Sequence, residues 1–370
     1  MSSTTNVARD DAVMGAANPA AEAQSANSRN PLSPADPLPT ADVPLTHPAP
    51  HREGRREGLR DPQRDPSFAP IDRLLQGAGA FPNMTERDTR ALSYLVLLRL
   101  LGFDQLRRLA FEGGDGSILR HRVRTYEDAG WITRWTATLP QGVRQRCAVP
   151  SRDAIRAVIN RLDGLLGADI PFAPLVRLML PNTERRPLKL TASTPEWFAH
   201  QREVNHLVTS IIRSGRKILW ASAWDCPFPE TAENYTLPQP DYVLVEEVEG
   251  KLRVVFGEHD RGTESVERFV DRKLALYDEL AEEAADAAEL FGIADFVIQV
   301  SVLDTRTQNP VRRLQSLLRE ASDTAKPHLF SFTLAGWLHA YPTERVWFSG
   351  QQEPTHFSRH CQDHEALVAV

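Results

Sequence analysis

Apolar positions recur at helical spacing in three short stretches after Thr85: Leu92, Leu95 and Val96 with Arg99, then Leu106 and Leu109, then Leu119, Val123 and Tyr126. Gly130 closes the third stretch. Two further runs, Trp131 to Trp135 and Val143 to Val149, flank Pro140-Gln141-Gly142 and predict a β-hairpin. Three helices followed by a hairpin is the order of a winged helix-turn-helix. A linking helix is predicted next, with Ser151 as N-cap and an apolar stripe of Ala154, Ile155, Val158, Ile159, Leu162 and Leu165. That stripe suits either the winged helix or a second subunit.

The second half changes period. Thr194-Pro195-Glu196 supplies a cap, a first-turn proline and a first-turn acid for a helix with Trp197, Val204, Val208 and Ile211 on one face. Strand-like runs follow at Lys217 to Trp224, Asp241 to Val248 and Leu252 to Phe256, then a helix from Glu264 to about Leu290, then a strand from Phe296 to Leu303. The order αβββαβ is the core order of the restriction-endonuclease-like fold. The expected class is therefore α/β, and α+β overall, with the winged helix-turn-helix preceding the αβββαβ domain. The expected divisions are an arm over 1–83, a winged helix over 84–150, a linking helix and linker over 151–190, a nuclease-like domain over 191–350 and a tail over 351–370.

Composition sharpens this division. Residues 1 to 82 hold twelve of the 27 prolines and few aromatic residues, so this arm is expected to be disordered. Arginines 52, 55, 56, 60 and 64 in it are offset by interleaved acids. No apolar run approaches the length of about eighteen residues that a membrane span needs, and Met1 opens onto no signal-peptide pattern, so a cytoplasmic protein without membrane contact is expected. The three cysteines, Cys147, Cys226 and Cys361, are widely spaced and read as plain thiols. Charge is unevenly spread: residues 85 to 150 carry eleven Arg against seven acidic residues, a net of +4 in a chain of net −6, which leaves −10 elsewhere. A basic module beside an acidic one suggests double-stranded DNA for the first and a metal or protein partner for the second.

On the third helix the apolar stripe leaves Arg120, His121 and Arg124 on the opposite side, with Arg122 at its margin. Such a face can enter a major groove, while Arg134, Arg144 and Arg146 on the wing meet phosphates. The same face also suits a solvated helix with Glu127 and Asp128 as local partners.

The candidate chemistry lies between Pro240 and Tyr277. Strands joined by a short turn would bring Asp241 and Glu258 together at one sheet edge, where two carboxylates can hold Mg²⁺ through oxygen. Asp260 is the third acid of this candidate metal set. A nuclease of this fold usually carries a lysine two residues after the glutamate, and here that position is Asp260. Lys273, on the apolar stripe of the next helix and one of only five lysines among 43 basic residues, is the candidate replacement. Asp241, Glu258 and Lys273 are thus the candidate catalytic set; a structural ion network of Asp241, Glu258, Asp260 and Lys273 is the alternative. Glu203 reads as a surface glutamate or a third ligand, and His200 as a hydrogen-bonded core histidine. Gly262 and Thr263 read as a tight turn and a helix cap. The histidines at 356, 360 and 364 with Cys361 have zinc-like spacing in a polar tail.

A winged helix followed by Pro240-Asp241, Glu258-x-Asp260-Arg261-Gly262-Thr263-Glu264 and Lys273-Leu274-x-x-Tyr277 resembles the replication-relaxation proteins of bacterial plasmids and mobile elements. The resemblance covers about residues 84 to 340. It implies a DNA-binding accessory factor of plasmid replication or DNA relaxation and mobilisation, acting beside a relaxase or replication initiator. It does not by itself imply cleavage. A transcriptional regulator whose inactive nuclease-like domain serves as a dimerisation or effector unit, making a homodimer, is the competing expectation.

Overall fold

A computed structural model of the chain describes residues 70–77, 84–111, 116–138, 142, 144–166, 170–179, 195–223, 239–282, 292–293, 295–303, 309–324, 326–340 and 347–349. Helices and two sheets make an α+β structure. Among the described residues no helix is long and apolar enough to cross a membrane.

The expected arm is corrected at its C-terminal end, because α1 (Pro70–Gly77) lies inside it. Ile71 and Leu75 of α1 are buried in the core, and the buried Asp72 accepts hydrogen bonds from Tyr94 Oη and Arg213 Nη1, each at 2.8 Å. A short amphipathic turn of chain was hidden by the proline-rich composition of its flank. The rest of that arm, 1–69 and 78–83, lies outside the described residues.

α2 (Glu86–Leu97) starts at a capping box. Thr85 Oγ1 accepts from Asp88 N, and Asp88 Oδ2 accepts from Thr85 N at 2.9 Å, so two N–H groups that would otherwise lack partners are satisfied. The helix ends at Leu97, so Arg99 is not on its stripe as expected: it sits two residues beyond, at φ +67. β1 (Leu101–Gly102), α3 (Phe103–Ala110), α4 (Ser117–Asp128), β2 (Ile132–Thr138) and β3 (Arg144–Pro150) follow. The three strands form an antiparallel sheet of order β1-β3-β2, with Leu101 opposite Ala148 and Trp135 opposite Cys147. α5 (Arg152–Leu165) has its expected cap at Ser151, and its buried Ala154, Ile155, Val158 and Leu162 belong to the side that packs on α2. Cys147 is buried, and burial pushes its thiol up to about 12.

After α6 (Ala173–Met179) comes the larger sheet. α7 (Pro195–Ile212) precedes β4 (Lys217–Ser222), β5 (Tyr242–Val248) and β6 (Lys251–Asp260). β5 and β6 are joined by a two-residue loop in which Glu249 and Gly250 have φ of 52 and 80, the left-handed pair that a tight hairpin requires. α8 (Val266–Phe269) runs through a π-helical turn (Val270–Leu274) into α9 (Ala275–Glu282). β7 (Phe296–Val302) completes the expected αβββαβ order. Beyond it stand α10 (Pro310–Ser322), β8 (Phe330–Leu334), α11 (Ala335–Ala340) and β9 (Phe348–Ser349), so the sheet has six strands in the order β4-β5-β6-β7-β8-β9. β6, β7 and β8 are parallel and the other pairs antiparallel.

Two expected boundaries are corrected. β6 continues through Glu258 to Asp260, four residues past Phe256, because Gly257, Glu258, His259 and Asp260 all pair with β7. The helix after it is capped by Ser265, whose Oγ accepts from Arg268 N, and not by Thr263. Gly262, at φ +65, makes the expected turn. Thr194 and Trp224 lie outside the described residues. One hydrophobic cluster runs through both sheets and their helices, from Leu95 and Val123 to Val255 and Phe332. Gln105 Nε2 of α3 donates to the Arg202 carbonyl of α7 at 2.8 Å across the same junction.

Candidate functional site

Hairpin register fixes the first acid against the second. Tyr242 is paired with Gly257, and Asp241 N donates to Gly257 O at 2.8 Å, so Asp241 and Glu258 are the next cross-strand neighbours. Gly257 is needed there because the Tyr242 ring lies across it: a Cβ would come within 1.9 Å of Tyr242 Cζ. Asp241 and Glu258 both line a cleft of about 340 Å³ with His200, Phe269 and Lys273.

Glu258 is 1% exposed and points to the helical layer of α8 and α9. Tyr277 Oη donates to its Oε1 at 2.7 Å, and Lys273 Nζ lies 3.1 Å from Oε1 and 2.9 Å from Oε2. The ammonium also donates to the Gln239 carbonyl at 2.7 Å. The lysine on the apolar stripe therefore meets a carboxylate. The π-helical turn aims it, since a wider turn shifts the side chains on either side of it relative to a regular helix. Burial pushes the Glu258 carboxyl up to about 7, and Asp241 adds to this, while Lys273 and Tyr277 pull the other way. Lys273 is itself raised: burial disfavours its charge, and Glu258 and Asp241 outweigh that.

Asp241 is turned to the other helix. Its Oδ1 is 2.9 Å from His200 Nε2, and its Oδ2 accepts from the His259 backbone N–H at 2.7 Å. Burial opposes its ionisation, but His200, Lys273 and the backbone donor prevail and hold its carboxyl below the ordinary range. His200, expected to be hydrogen-bonded, has the first acid as its partner, and Asp241 raises its pKa against the effect of burial. Its ring stacks on that of His259, with centroids 5.9 Å apart. Glu203 is likewise not a plain surface residue: its Oε2 is 2.9 Å from Arg261 Nε and 3.7 Å from His259 Nε2.

Asp260 lines the cleft with the other two acids, but its carboxylate is held by a partner of its own. It shares the Glu258 face of β6, as alternate strand residues do, but both its oxygens are taken by Arg313 of α10, with Nη2 to Oδ1 at 2.9 Å, and Oδ1 also accepts from Gly262 N. Among the described residues no three His, Cys, Asp or Glu side chains are gathered at metal-binding spacing. Asp260 lines the same cleft as Asp241, Glu258 and Lys273, as do Glu196 and Glu264, but the acids within reach of Lys273 and His200 are Glu258 and Asp241. Tyr277, His200 and Arg313 complete the constellation, and sequence reading gave none of them its role. Tyr277 stands four residues after Lys273, on the same helical face, and that spacing was the available signal. Nothing local marked Arg313, more than fifty residues from Asp260.

On α4, Arg120, His121 and Arg124 are exposed, as expected. Arg122 is turned inward: its Nε donates to Asp88 Oδ1 at 2.8 Å, and its Cζ lies 5.6 Å from the Tyr126 ring centroid. On the hairpin, Arg144 and Arg146 are exposed, and Arg134 is paired with Glu127. The histidines at 356, 360 and 364 and Cys361 lie outside the described residues.

No curated protein and no solved structure matches the chain. The replication-relaxation family model matches residues 92–293, from the middle of α2 to the segment before β7 and more than half of the 370 residues, and the chain therefore belongs to the replication-relaxation family.

Proposed function

We propose that this protein is a DNA-binding accessory factor in the replication or relaxation of plasmid or mobile-element DNA, acting beside a relaxase or replication initiator. Family membership supports the setting. The observation that carries DNA binding is the division of labour on α4: Arg122 is spent on Asp88, while Arg120, His121 and Arg124 face solvent beside a hairpin bearing Arg144 and Arg146. Three helices and a sheet of order β1-β3-β2 suit a winged helix, with α4 entering the major groove and the hairpin meeting the backbone. The test is a salt series of duplex binding by fluorescence anisotropy. Replacing Arg120 and Arg124 by Ala weakens binding and lowers the slope of log affinity against log salt by about 2. An unchanged slope would remove α4 from the interface.

We read the second half as a PD-(D/E)xK nuclease-like domain, a reading supported by its αβββαβ order and by the cleft that Asp241 and Glu258 share. Asp241 and Glu258 fit a hard divalent cation in donor type and in their shared cleft, and would hold Mg²⁺ between them. Bound there, the cation would neutralise charge on a phosphodiester and lower the pKa of a water. The chain's own part is orientation: the His259 N–H and His200 set the Asp241 carboxylate, and Tyr277 and Lys273 set that of Glu258. Nicking of supercoiled plasmid with Mn²⁺ tests this reading, and equal nicking by Glu258→Ala would refute it.

A second reading is favoured by one contact. The Lys273 ammonium lies within 3.1 Å of both Glu258 oxygens and supplies the positive charge that a metal would bring. In that reading the domain binds without cleaving, and wild-type protein leaves the plasmid supercoiled at every Mn²⁺ concentration.

A further inference from the structure

α4 sorts its side chains between core and solvent with one exception. Leu119, Val123 and Tyr126 are at most 4% exposed, and the solvent side carries Arg120, His121 and Arg124. Ile118, in the first turn, is 49% exposed, and among the described residues no other large hydrophobic side chain is exposed. Helix formation does not call for isoleucine there, since a β-branched side chain loses rotamer freedom in a helix and Leu, Lys or Glu would favour it more. Packing does not call for it either, because about half of its surface faces water.

The surroundings of Ile118 narrow what can cover it. Its neighbours at helical spacing are His121, Arg122 and Thr125. Arg122 is turned to Asp88, and Thr125 Oγ1 donates to the His121 carbonyl at 3.1 Å, so neither reaches out past Ile118. α4 presents no second apolar side chain to solvent. A protein partner seals a patch of several apolar side chains, which one isoleucine among cations does not provide. The major groove of DNA does present single apolar groups in polar surroundings: the C5 methyl of each thymine, beside the base edges and phosphates that arginines bind. In a helix-turn-helix the N-terminal part of the reading helix reaches the base edges, and Ile118 stands there.

We infer that Ile118 is a specificity-determining residue that packs on the C5 methyl of a thymine in the duplex α4 enters. This inference rests on the DNA-binding reading of α4 above and adds a base preference to it. The exposed cations supply attraction to the duplex, and Ile118 selects thymine over cytosine at one position. Cytosine has no methyl group there and would turn its N4 amino donor against an aliphatic side chain that cannot accept from it.

The test starts from duplexes that the full chain enriches out of a randomised pool. Each thymine in an enriched duplex is then replaced in turn by deoxyuridine, which removes the methyl group and leaves base pairing unchanged, and affinity is read by fluorescence anisotropy. Wild-type protein is expected to lose about fourfold at one thymine, the worth of one buried methyl group. Ile118→Ala keeps the wild-type melting temperature, binds the thymine duplex about fourfold more weakly and no longer distinguishes it from the deoxyuridine duplex. Ile118→Val keeps part of the preference. Equal wild-type affinity for every member of the series overturns the proposal, as does a thymine preference that survives in Ile118→Ala. A change of oligomeric state in Ile118→Ala with the preference intact would assign the side chain to a second copy of the chain and overturn it too. In each of those cases the α4 reading stands if Arg120→Ala/Arg124→Ala still lowers duplex affinity and its salt slope. An unchanged slope in that double variant removes the α4 reading and takes this one with it.

Discussion

The Lys273 ammonium and the Glu258 carboxylate form a two-point contact, 2.9 Å to one oxygen and 3.1 Å to the other, in a place where the carboxylate is 1% exposed. The carboxyl's preference for its proton and the lysine's preference for its charge thus oppose each other at one point. Protonation of Glu258 is therefore the natural variable to perturb.

Folding stability is expected to fall between about pH 4.5 and pH 7 through Glu258. Its carboxyl has an ordinary value of 4.5 and is raised by burial to about 7 in the fold. Between those values the folded state keeps a proton that the unfolded state has lost, so the contribution is fully present below 4.5 and is lost as pH rises through about 7. The difference corresponds to about 3 kcal/mol. Glu258→Gln removes the titrating group, and urea melts across this range should show a correspondingly flatter pH profile for the variant. Identical profiles would mean that Glu258 does not titrate there.

Lys273→Met is expected to be nearly silent at about pH 5 and to cost about 3 kcal/mol at about pH 8.5, where it strands a buried carboxylate or forces it to stay protonated. Chemical denaturation at the two pH values reads this directly. A loss of equal size at both would point to packing by the lysine stem in place of charge pairing.

How far the chain disclosed its own site follows from the range of each interaction. The β5 and β6 runs, rich in Val and Leu, and the Glu249-Gly250 turn were legible because strand period and hairpin chemistry are local, and they alone bring Asp241 beside Glu258. Lys273 was legible as a cation on an apolar stripe. The pairing of Asp260 with Arg313 was not, because it joins β6 to a helix beyond β7, and no periodicity spans that distance. His200 looked like core because it shares the stripe of Trp197 and Val204; only the end of β5, arriving from elsewhere, places a carboxylate against it. α1 was lost for the opposite reason, since averaged composition swamped an eight-residue helix.

Gly257→Ala is expected to destabilise the fold by about 3 kcal/mol, since the new methyl group would overlap the buried Tyr242 ring and the strands cannot part without losing their ladder. Tyr242→Leu clears that space. The double variant Gly257→Ala/Tyr242→Leu should therefore recover part of the loss, a coupling measurable by thermal melts of the four proteins. Strict additivity would show that the ring does not occupy the position above Gly257.

Arg122 and Arg124 sit two residues apart on α4 and should behave in opposite ways. Asp88, 1% exposed, is held by Arg122, Tyr126 and Thr85 at the start of α2. Burial works against its ionisation, but those donors prevail and its carboxyl lies below the ordinary range, so its contribution is present above pH 3.8 and is lost as pH falls through the lower folded value. Arg122→Ala removes one of its counter-charged donors and is expected to cost about 3 kcal/mol at neutral pH, with any weakening of DNA binding following from unfolding. Arg124 is exposed, and Arg124→Ala should leave the melting temperature within about a degree of wild type while reducing duplex affinity and its salt slope. Stability and affinity measured on both variants separate the two roles: a stable Arg122→Ala that has lost DNA binding would place Arg122 at the groove and dismantle the division of labour on this helix.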